Sequence, residues 1–555
     1  MPVRNCLASA APALESPAPE ERGHPVTKLD RPALPAVTVL DQPIETRDGT
    51  VLRADVHRPG GDGRHRAVLV RNPYGEPLFR SLPVTPYLKA GMAVVLQHCR
   101  GRGSSDGEFT PWADEGRDGA DTVEWITAQP WSNGEVVAAG TSYLAGCALQ
   151  LASERPAALK AVVATMTPHD FYDGLKYHGG AFALGSAFFW AATQGLLGAL
   201  HDMAAGLDAR ERLGALLRVL DDPGPAMSAV PLRDAPGVAD AFPFWRDWVD
   251  HPERDSYWTA LAETLRHDRI DVPVLHTAGW FDVFLHGTLE NYKRIPGGRL
   301  IIGPWTHMSQ MAGVGELGFG HAASAQSALL EATHLEFLKG NTEGPQVRYF
   351  TMGADAWRDA GSWPPPGAVA TRYHLHSGGS LSPDAPAGGA EPSRFTHDPD
   401  DPVPTHGGPL LLHDPVNAGP RDQRAIEARP DVLCFTTPVL DRDVEVTGPV
   451  TVVLHAATSA SGADWTAKLV DVWPDGRAMN VLDGIVRSPA DRTRHEIDLV
   501  ATSQTFRAGH RIRVQIASSN FPRFDRHPAM ARAGHTVFHD AARPSWITLP
   551  IMPPA

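Results

Sequence analysis

The chain has 555 residues and a formal net charge of -14 at pH 7. A single hydrophobic core stops growing at roughly 250–300 residues, so we expect two or more domains. Hydrophobic residues make up 42% of the chain and charged residues 21%, as in ordinary globular proteins. The acidic balance argues against binding to nucleic acid, which requires a basic surface.

The cysteines Cys6, Cys99, Cys147 and Cys434 form no C-x-x-C pair. We therefore expect reduced thiols in a cytoplasmic protein, with neither a disulfide framework nor a zinc site. No apolar run approaches the roughly 20 residues needed to cross a bilayer, so we expect no contact with a membrane. The N-terminal segment lacks the apolar centre of a signal peptide.

Residues 1–35 are rich in Pro, Ala and Glu, which predicts a disordered tail. Asp48-Gly49 then predicts a hairpin turn. Short apolar runs that alternate with helical segments follow, and this alternation predicts a doubly wound parallel sheet. The predicted strands are Ala67–Val70, Met92–Leu96, Val136–Ala139 and Leu159–Ala164, and the predicted helices are Asp118–Ala128 and Leu144–Glu154.

Residues 168–269 are predicted to form a helical cap without strands, in which Phe188, Phe189 and Trp190 belong to the helix core. Buried strands are predicted again at Val272–Thr277 and Leu300–Ile302. We therefore expect an α/β fold, with an α/β-hydrolase domain over residues 36–167 and 270–345 and the cap inserted into it. Residues 346–555 consist of short alternating runs separated by Gly, Pro and Asp, which predicts a C-terminal β jelly-roll domain.

The strongest chemical signal is the segment VVAAGTSYLAGCALQL, in which a predicted strand enters Gly140-Thr141-Ser142-Tyr143 and a helix follows immediately. This is the pattern of a nucleophile elbow, which exposes a serine hydroxyl above the sheet. Ser142 is the predicted nucleophile. The backbone amide of Tyr143 would stabilise the oxyanion. Leu144 occupies the position of the second glycine in G-x-S-x-G.

A serine nucleophile needs a base that is held by an acid, and in this fold the chain order is Ser, acid, His. Asp282 in AGWFD and His307 in GPWTH each follow a predicted strand at its carboxyl end, where active sites of open α/β sheets lie. His276 and His286 compete as the base, but His276 falls within a strand and His286 on a helix. Asp271 competes as the acid but precedes its strand.

Tyr74 in RNPYG follows the strand Ala67–Val70, at a loop position that often supplies the second oxyanion donor. A tyrosine that only packs over the loop is the alternative. RGRGSSDGEF lacks the third glycine of a nucleotide fingerprint, so a structured loop is expected there.

Several blocks together resemble the CocE/NonD family of serine hydrolases, which is related to the X-Pro dipeptidyl-peptidases. They are RNPYG, RGRGSSDGEF, GTSY, GWFD and GPWTH, followed in the β domain by DWTAKLVDVWPDGRAMNVLDGIVR and FRAGHRIRVQIASSNFPRFDR. The resemblance runs from about Val37 to the C-terminus. It implies Ser142 as nucleophile, Asp282 as acid and His307 as base, with Tyr74 and the Tyr143 amide forming the oxyanion hole. Ala145 stands where the family often has glycine.

The expected activity is cleavage of acyl esters, or of amides, through a covalent acyl-enzyme, without a cofactor or a metal ion. The expected partner is a small-molecule substrate, and the oligomeric state, a homodimer included, stays open. An X-Pro dipeptidyl-peptidase and a β-lactam or amino-acid ester acylase are alternatives, and both need carboxylates in the cap, such as Asp170 or Asp173, to hold an amine. A non-catalytic protein that binds through its β domain is the alternative of another class.

Overall fold

The computed structural model describes residues 36–75, 82–411 and 417–554, so the tail predicted for residues 1–35 lies outside the described residues. The first part of the chain forms six strands and three helices. They are β1 (Ala36–Glu45), β2 (Val51–Pro59), β3 (His65–Asn72), α1 (Thr85–Lys89), β4 (Ala93–His98), α2 (Glu115–Thr127), β5 (Ser132–Thr141), α3 (Tyr143–Ser153) and β6 (Leu159–Thr165). The antiparallel pairing of β1 with β2 confirms the hairpin predicted around Asp48-Gly49.

The inserted segment is mainly helical. It contains β7 (Tyr177–His178), β8 (Ala181–Phe182), α4 (Leu184–Ala204), α5 (Arg210–Asp221), α6 (Gly224–Met227), α7 (Phe244–Asp250) and α8 (Ser256–Ala262). The prediction of a cap without strands was wrong at β7 and β8, which pair as a short hairpin. Two strands of two residues each are too short to show the alternating pattern of apolar and polar residues that identifies a strand from sequence.

The chain then returns to the central sheet. It forms β9 (Val274–Phe281), α9 (Leu285–Arg294), β10 (Arg299–Thr306), β11 (Gly313–Val314), β12 (Leu317–Gly318), α10 (Leu330–Lys339), β13 (Val347–Thr351) and β14 (Ala356–Ala360). The ten strands of this sheet have the order β1-β2-β4-β3-β5-β6-β9-β10-β13-β14. Its strands from β4 to β13 run parallel, and β1, β2 and β14 pair antiparallel at the two ends. This sheet confirms the predicted α/β-hydrolase fold.

The boundary expected after residue 345 falls before the last two strands of this sheet. β13 pairs with β10 in parallel, and β14 continues the sheet by pairing with β13. The helix α10 between β10 and β13 provides the crossover that parallel pairing requires. We therefore propose that the first domain extends to Ala360. The limit at residue 345 was expected because the short alternating run at 347–351 was assigned to the β domain.

The remaining strands form a β domain. They are β15 (Val369–Leu375), β16 (Leu381–Ser382), β17 (Ser393–His397), β18 (Leu433–Thr436), β19 (Val444–Thr458), β20 (Gly462–Val472), β21 (Ala478–Pro489), β22 (Arg494–Phe506), β23 (Arg511–Ala517), β24 (Ala533–Val537) and β25 (Trp546–Ile551), with α11 (Arg424–Glu427) among them. One sheet has the order β16-β15-β25-β19-β24-β17 with β22 beside β19, and the other has the order β18-β23-β20-β21. All of their pairings are antiparallel. The two sheets share one buried core, as in the predicted jelly roll.

The β domain packs on the end of the central sheet without a polar gap. Trp280 on β9 and Phe350 on β13 belong to the same apolar cluster as Leu454 and Leu469 of the β domain. The indole of Trp280 also donates a hydrogen bond of 2.6 Å to the carbonyl of Phe350. The end of β9, which carries Asp282, is therefore supported from both domains.

Candidate active site

The three predicted catalytic residues lie at the same edge of the central sheet. Ser142 follows β5, Asp282 follows β9 and His307 follows β10. The parallel register aligns these strand ends, since Thr141 pairs with Thr165 and Thr165 pairs with Thr277. The edge is the carboxyl end of the strands, where ligands bind in open α/β sheets.

Ser142 occupies a sharp turn between β5 and α3. Its backbone has φ 62° and ψ -126°, a region that residues other than glycine rarely adopt. Its amide donates to the Thr165 carbonyl at 2.9 Å, and its carbonyl accepts from the Gly146 amide at 3.1 Å. These hydrogen bonds keep the strained turn in place and present the hydroxyl at the end of the strand.

Close packing at this turn depends on glycine at 140. A Cβ atom at Gly140 would lie 2.3 Å from the carbonyl carbon of Leu144, so helix α3 could not approach the strand as it does. Ala145 is fully buried, and its small methyl group is accommodated where the family often has glycine. The departure of this motif from G-x-S-Y-x-G therefore leaves the strand-turn-helix arrangement intact.

Asp282 and His307 form a hydrogen-bonded pair. His307 Nδ1 lies 2.7 Å from Asp282 Oδ1, and the two side chains are 7% and 0% exposed. The ring of Phe284 packs edge-on against the imidazole at 5.2 Å. Nδ1 thus faces the carboxylate, and Nε2 lies on the opposite side of the ring.

No hydrogen bond joins Ser142 Oγ to His307 within the ranges that the structure describes. The two residues share the same sheet edge, but their side chains are not in direct contact of that kind. Catalytic hydrogen bonds are often long in enzymes without substrate and shorten in the complex. The structure therefore brings two of the three predicted triad members into contact and places the third at the end of β5, which β6 separates from β9.

The competing residues are engaged elsewhere. His276 is fully buried within β9, and neither ring nitrogen has a hydrogen-bond partner in the described chain. His286 Nε2 lies 3.5 Å from Asp173. Asp271 pairs with Arg155 at the surface, before β9 begins. None of these three shows a contact with the Asp282–His307 pair.

The hydroxyl of Tyr74 accepts a hydrogen bond of 3.2 Å from the indole nitrogen of Trp190. Burial raises the pKa of Tyr74 to about 12, although the hydrogen bonds from Trp190 and with the Ser142 side chain oppose this shift. The phenol is therefore protonated at neutral pH. Because the indole supplies its own proton, the phenol proton is free to point towards the Ser142 side.

The side chain of Tyr143 is locked below the turn. Its hydroxyl donates to Glu115 Oε1 at 2.8 Å and accepts from the amide of Trp112 at 2.9 Å, and its ring stacks on Trp112 at 3.7 Å. Glu115 also forms a buried ion pair of 2.6 Å with Arg71. This network fixes the first residue of α3. The Tyr143 amide, which belongs to the helix N-terminus and has no acceptor within the helix, therefore has a defined direction.

Sequence reasoning did not assign Trp190 and Glu115 to the site. Phe188 is buried in the cap and Trp190 packs against the same core, as predicted, but the Trp190 indole also reaches across to the Tyr74 hydroxyl. Nothing local in the sequence marks either residue, because both contacts join distant parts of the chain.

The two cap carboxylates differ in their environments. Asp170 pairs with Arg254 at 2.7 Å, and its Oδ1 accepts from the amides of Tyr172 and Asp173 at 2.8 and 3.0 Å. Asp173 lies beside the imidazoles of His169 and His286. Asp170 therefore supports the local chain, whereas Asp173 is oriented towards two histidines.

Among the residues that the structure describes, no helix is both long and apolar enough to span a lipid bilayer.

Two protein-family models match this chain, one over most of the hydrolase domain with its cap and the other mainly over the β domain. Residues 48–309 match the X-Pro dipeptidyl-peptidase (S15 family), and residues 340–548 match the X-Pro dipeptidyl-peptidase C-terminal non-catalytic domain. The solved aminopeptidase from a marine sediment archaeon, Thaumarchaeota archaeon, superposes with a TM-score of 0.79 at 26% identity, covering 97% of this chain and 99% of that chain. An α-amino acid ester hydrolase shares the fold, with a TM-score of 0.77 at 22% identity, over 97% of this chain and 100% of that chain.

The cocaine esterase of Rhodococcus sp. (strain MB1 Bresler) is 36% identical over 564 aligned positions, which span 92% of this chain and 97% of that protein. A likeness of this degree covers the elbow, the cap and the β domain together. It agrees with the resemblance carried by the GTSY, GWFD and GPWTH motifs. The chain belongs to the CocE/NonD family of serine hydrolases.

Proposed function

We propose that this protein hydrolyses carboxylic esters of small molecules through a covalent acyl-enzyme, with Ser142 as nucleophile, His307 as base and Asp282 as the orienting acid. The observation that carries the proposal is the 2.7 Å contact between His307 Nδ1 and Asp282 Oδ1 at the sheet edge where Ser142 occupies its strained turn. A nucleophile, a base and a group that orients the base are the components that acyl transfer requires.

In the first step, His307 Nε2 takes the proton of Ser142 Oγ as the oxygen attacks the ester carbonyl. The carbonyl oxygen becomes negative and accepts hydrogen bonds from the Tyr74 hydroxyl and the Tyr143 amide. Such donors act where charge develops, and the dry surroundings of Tyr74 increase their effect. Asp282 stabilises the imidazolium that forms. When the tetrahedral intermediate collapses, His307 gives its proton to the departing alcohol, and the acyl group stays on Ser142.

In the second step, water replaces the alcohol. His307 takes a proton from the water as its oxygen attacks the acyl carbonyl, and the same two donors hold the second oxyanion. Collapse breaks the bond to Ser142 Oγ, which recovers its proton from His307. The products are a carboxylic acid and an alcohol, and no electron transfer or bound cofactor enters the balance.

One of the two cap carboxylates that could hold a substrate amine is already engaged. A dipeptidyl-peptidase or an amino-acid ester acylase needs a carboxylate to hold the substrate amine, and Asp170 already pairs with Arg254 at 2.7 Å. The 36% identity to cocaine esterase supports esters as the substrate class.

The test compares each proposed catalytic residue with the competing residue of the same type. Removing the nucleophile of a triad costs on the order of 10⁶ in turnover, so Ser142→Ala is expected to lose cleavage of nitrophenyl acyl esters. His307→Ala and Asp282→Asn are expected to lose most of it, whereas His286→Ala and Asp271→Asn keep it. A fluorophosphonate probe should label Ser142, as seen by peptide mass spectrometry.

Three outcomes would contradict the proposal in different ways. Full ester cleavage by Ser142→Ala would remove the nucleophile assignment. Faster cleavage of X-Pro nitroanilides or aminoacyl esters than of simple acyl esters would replace the substrate class. Failure of the fluorophosphonate to react, together with no hydrolysis of any of these substrates, would favour a non-catalytic binding protein.

A further inference from the structure

Two histidines and an aspartate converge at the start of the cap, outside the proposed triad. His169 and Asp173 lie in the loop that follows β6, and His286 lies in the first turn of α9. One ligand atom from each lies within 4.8 Å of the other two. The separation from Asp173 Oδ2 is 3.5 Å for His286 Nε2 and 4.0 Å for His169 Nε2.

The imidazole of His169 has no hydrogen-bond partner among the described residues. Its side chain is 3% exposed, the 4.0 Å separation from Asp173 is too long for a hydrogen bond, and its Nδ1 is buried and unpaired. A ring nitrogen of His169 is therefore available for a ligand. A buried polar ring without a partner calls for an explanation of this kind.

The three side chains are held by their surroundings. Asn291 of α9 donates to the Pro168 carbonyl at 3.1 Å, which ties the helix that carries His286 to the segment that carries His169. Gly174 has φ 76°, and a Cβ atom there would lie 2.9 Å from Cδ2 of His286, so glycine allows the loop to approach this ring. The arrangement is therefore formed in advance of any ligand, which lowers the cost of binding.

The cluster borders a cavity with an excess of carboxylates. The cavity has a volume of about 250 Å³, and Asp173, Glu496 and Asp498 line it together with His286. Asp483 also lines it but pairs with Arg523. Among the described residues, Asp498 has no ion-pair partner, and its carboxylate accepts only from the Val500 amide at 2.8 Å. The resulting negative potential favours a cation at this place.

We propose that His169, Asp173 and His286 bind one divalent transition-metal ion, with zinc as the best fit, and that the remaining coordination position faces the cavity. Two imidazoles and a carboxylate suit zinc, cobalt and nickel better than calcium or magnesium. Tetrahedral zinc with bonds of 2.0–2.2 Å places its ligand atoms about 3.4 Å apart. Asp173 lies 3.5 and 4.0 Å from the two imidazole nitrogens, and the three ligand atoms all lie within 4.8 Å of one another, so closing on the ion requires small movements of the side chains.

A second group of potential metal ligands is less suited to a cation than this cluster. Cys99, Glu115 and Cys147 meet within the same distance limit, but Glu115 already pairs with the buried Arg71 guanidinium at 2.6 Å. A dication beside that fixed positive charge would be repelled. A metal ion in the first cluster would join the beginning of the cap to α9, which follows Asp282.

The experiment uses the full-length protein, stripped with EDTA and dialysed, and titrates it with Zn²⁺ by calorimetry at pH 7.5. We expect saturable binding of one Zn²⁺ per chain and a rise in the melting temperature, since a ligand that binds only the folded state stabilises it. Co²⁺ at the same site should show the visible absorption of tetrahedral coordination. Ca²⁺, a cation that prefers oxygen ligands, should not produce a comparable isotherm.

Asp173→Asn and His286→Ala should each weaken zinc binding roughly 100-fold or more, since even the loss of an outer-shell partner costs 10–100-fold. Asp173→Asn preserves the shape of an exposed side chain and guards against misfolding as the cause. His321→Ala, which removes an exposed histidine remote from this cluster, is the matched control and should bind zinc normally. Ser142→Ala should also bind normally, so loss of hydrolysis and loss of zinc binding are separate results.

The proposal is overturned if the wild-type protein shows no saturable zinc binding, or if Asp173→Asn and His286→Ala bind zinc as the wild type does. Calcium binding as tight as zinc binding would show that the carboxylates of the cavity suffice and that the imidazoles are not ligands. Binding of butylammonium that depends on Asp173, without zinc binding, would make the cavity an amine subsite instead.

Discussion

Replacement of Ser142 by glycine is expected to abolish hydrolysis and to stabilise the folded chain. Ser142 has φ 62° and ψ -126°, a conformation in which a Cβ atom is strained and in which glycine is not. The turn that holds it is fixed by its neighbours, since the Ser142 carbonyl accepts from the Gly146 amide at 3.1 Å and from the Thr167 hydroxyl at 2.9 Å. The substitution therefore releases strain without moving the backbone.

The expected gain follows from two opposing terms. A residue held in such a region costs on the order of 1–3 kcal/mol. Glycine gives part of this back, because its greater freedom in the unfolded chain costs roughly 0.5–1 kcal/mol relative to alanine. The net stabilisation of Ser142→Gly over Ser142→Ala is thus about 0–2.5 kcal/mol. Both variants lose the serine hydroxyl and its interaction with Tyr74, so this loss cancels in the comparison between them.

The assay is scanning calorimetry together with urea unfolding of the wild type, Ser142→Gly and Ser142→Ala. A difference of 1 kcal/mol shifts the melting temperature by about 2–4 °C for a domain of 150–250 residues. Ser142→Ala is the matched control because it lacks the hydroxyl but keeps the Cβ atom and its strain. Both variants should be inactive, so activity does not distinguish them and stability does.

A Ser142→Gly variant that is less stable than Ser142→Ala would refute this reasoning. Such a result would mean that the turn stores no strain, and that the loss of glycine's entropy on folding dominates. Equal stabilities of the two variants would set an upper limit of about 1 kcal/mol on the stored strain, which is the low end of the range for strained residues.

Three further predictions concern the oxyanion hole, the buried ion pair and the response to acid. Tyr74→Phe should lower kcat by roughly 10²–10³ with little change in KM, because the donor acts on charge that develops in the transition state; a drop under threefold in steady-state assays would contradict this. Glu115→Gln should lower the free energy of unfolding by about 3–5 kcal/mol, because it leaves the buried Arg71 without its closest charged partner. The control is Glu135→Gln, which breaks the more exposed ion pair with Arg66 and should cost at most about 1 kcal/mol. Urea unfolding measures both. Burial lowers the pKa of His276 to about 3. Below about pH 6.5 the His276 imidazole is therefore protonated in the unfolded chain but stays neutral in the folded chain. The free energy of unfolding consequently falls as the pH drops from 6.5 towards 3. His276→Leu removes this loss, so its stability relative to wild type should rise by about 1.4 kcal/mol between pH 7.5 and pH 5.5; an unchanged difference would show that this ring is not held neutral.

The local pattern of the sequence determined the hydrolase sheet and the chemical candidates on it. Apolar runs of four to eight residues identified β3 to β6, because strands buried on both faces are hydrophobic throughout. The G-T-S-Y turn between a strand and a helix identified Ser142 for the same local reason. Asp282 and His307 followed from the order of strands, since a residue just after a parallel strand must lie at the common edge.

Contacts between distant parts of the chain were decided only by the tertiary structure. Trp190 donates to Tyr74 across 116 positions of sequence, and Tyr143 donates to Glu115 across 28. His286 meets Asp173 from another element. Each contact depends on how the cap and the helices dock, which is set by packing over large apolar surfaces and leaves no periodic signal in either segment.

The limits of the domains also show the difference between what the local sequence predicts and what tertiary packing decides. The alternating run at 347–351 correctly predicts a strand, but a strand pattern does not reveal which sheet it joins. β13 joins the hydrolase sheet because β10 offers a free parallel edge and α10 supplies the crossover. The sequence by itself determined most of the longer strands of the hydrolase sheet and which serine lies on the turn between a strand and a helix. The docking of those elements, governed by burial and by hydrogen-bond pairing between remote segments, decided their neighbours.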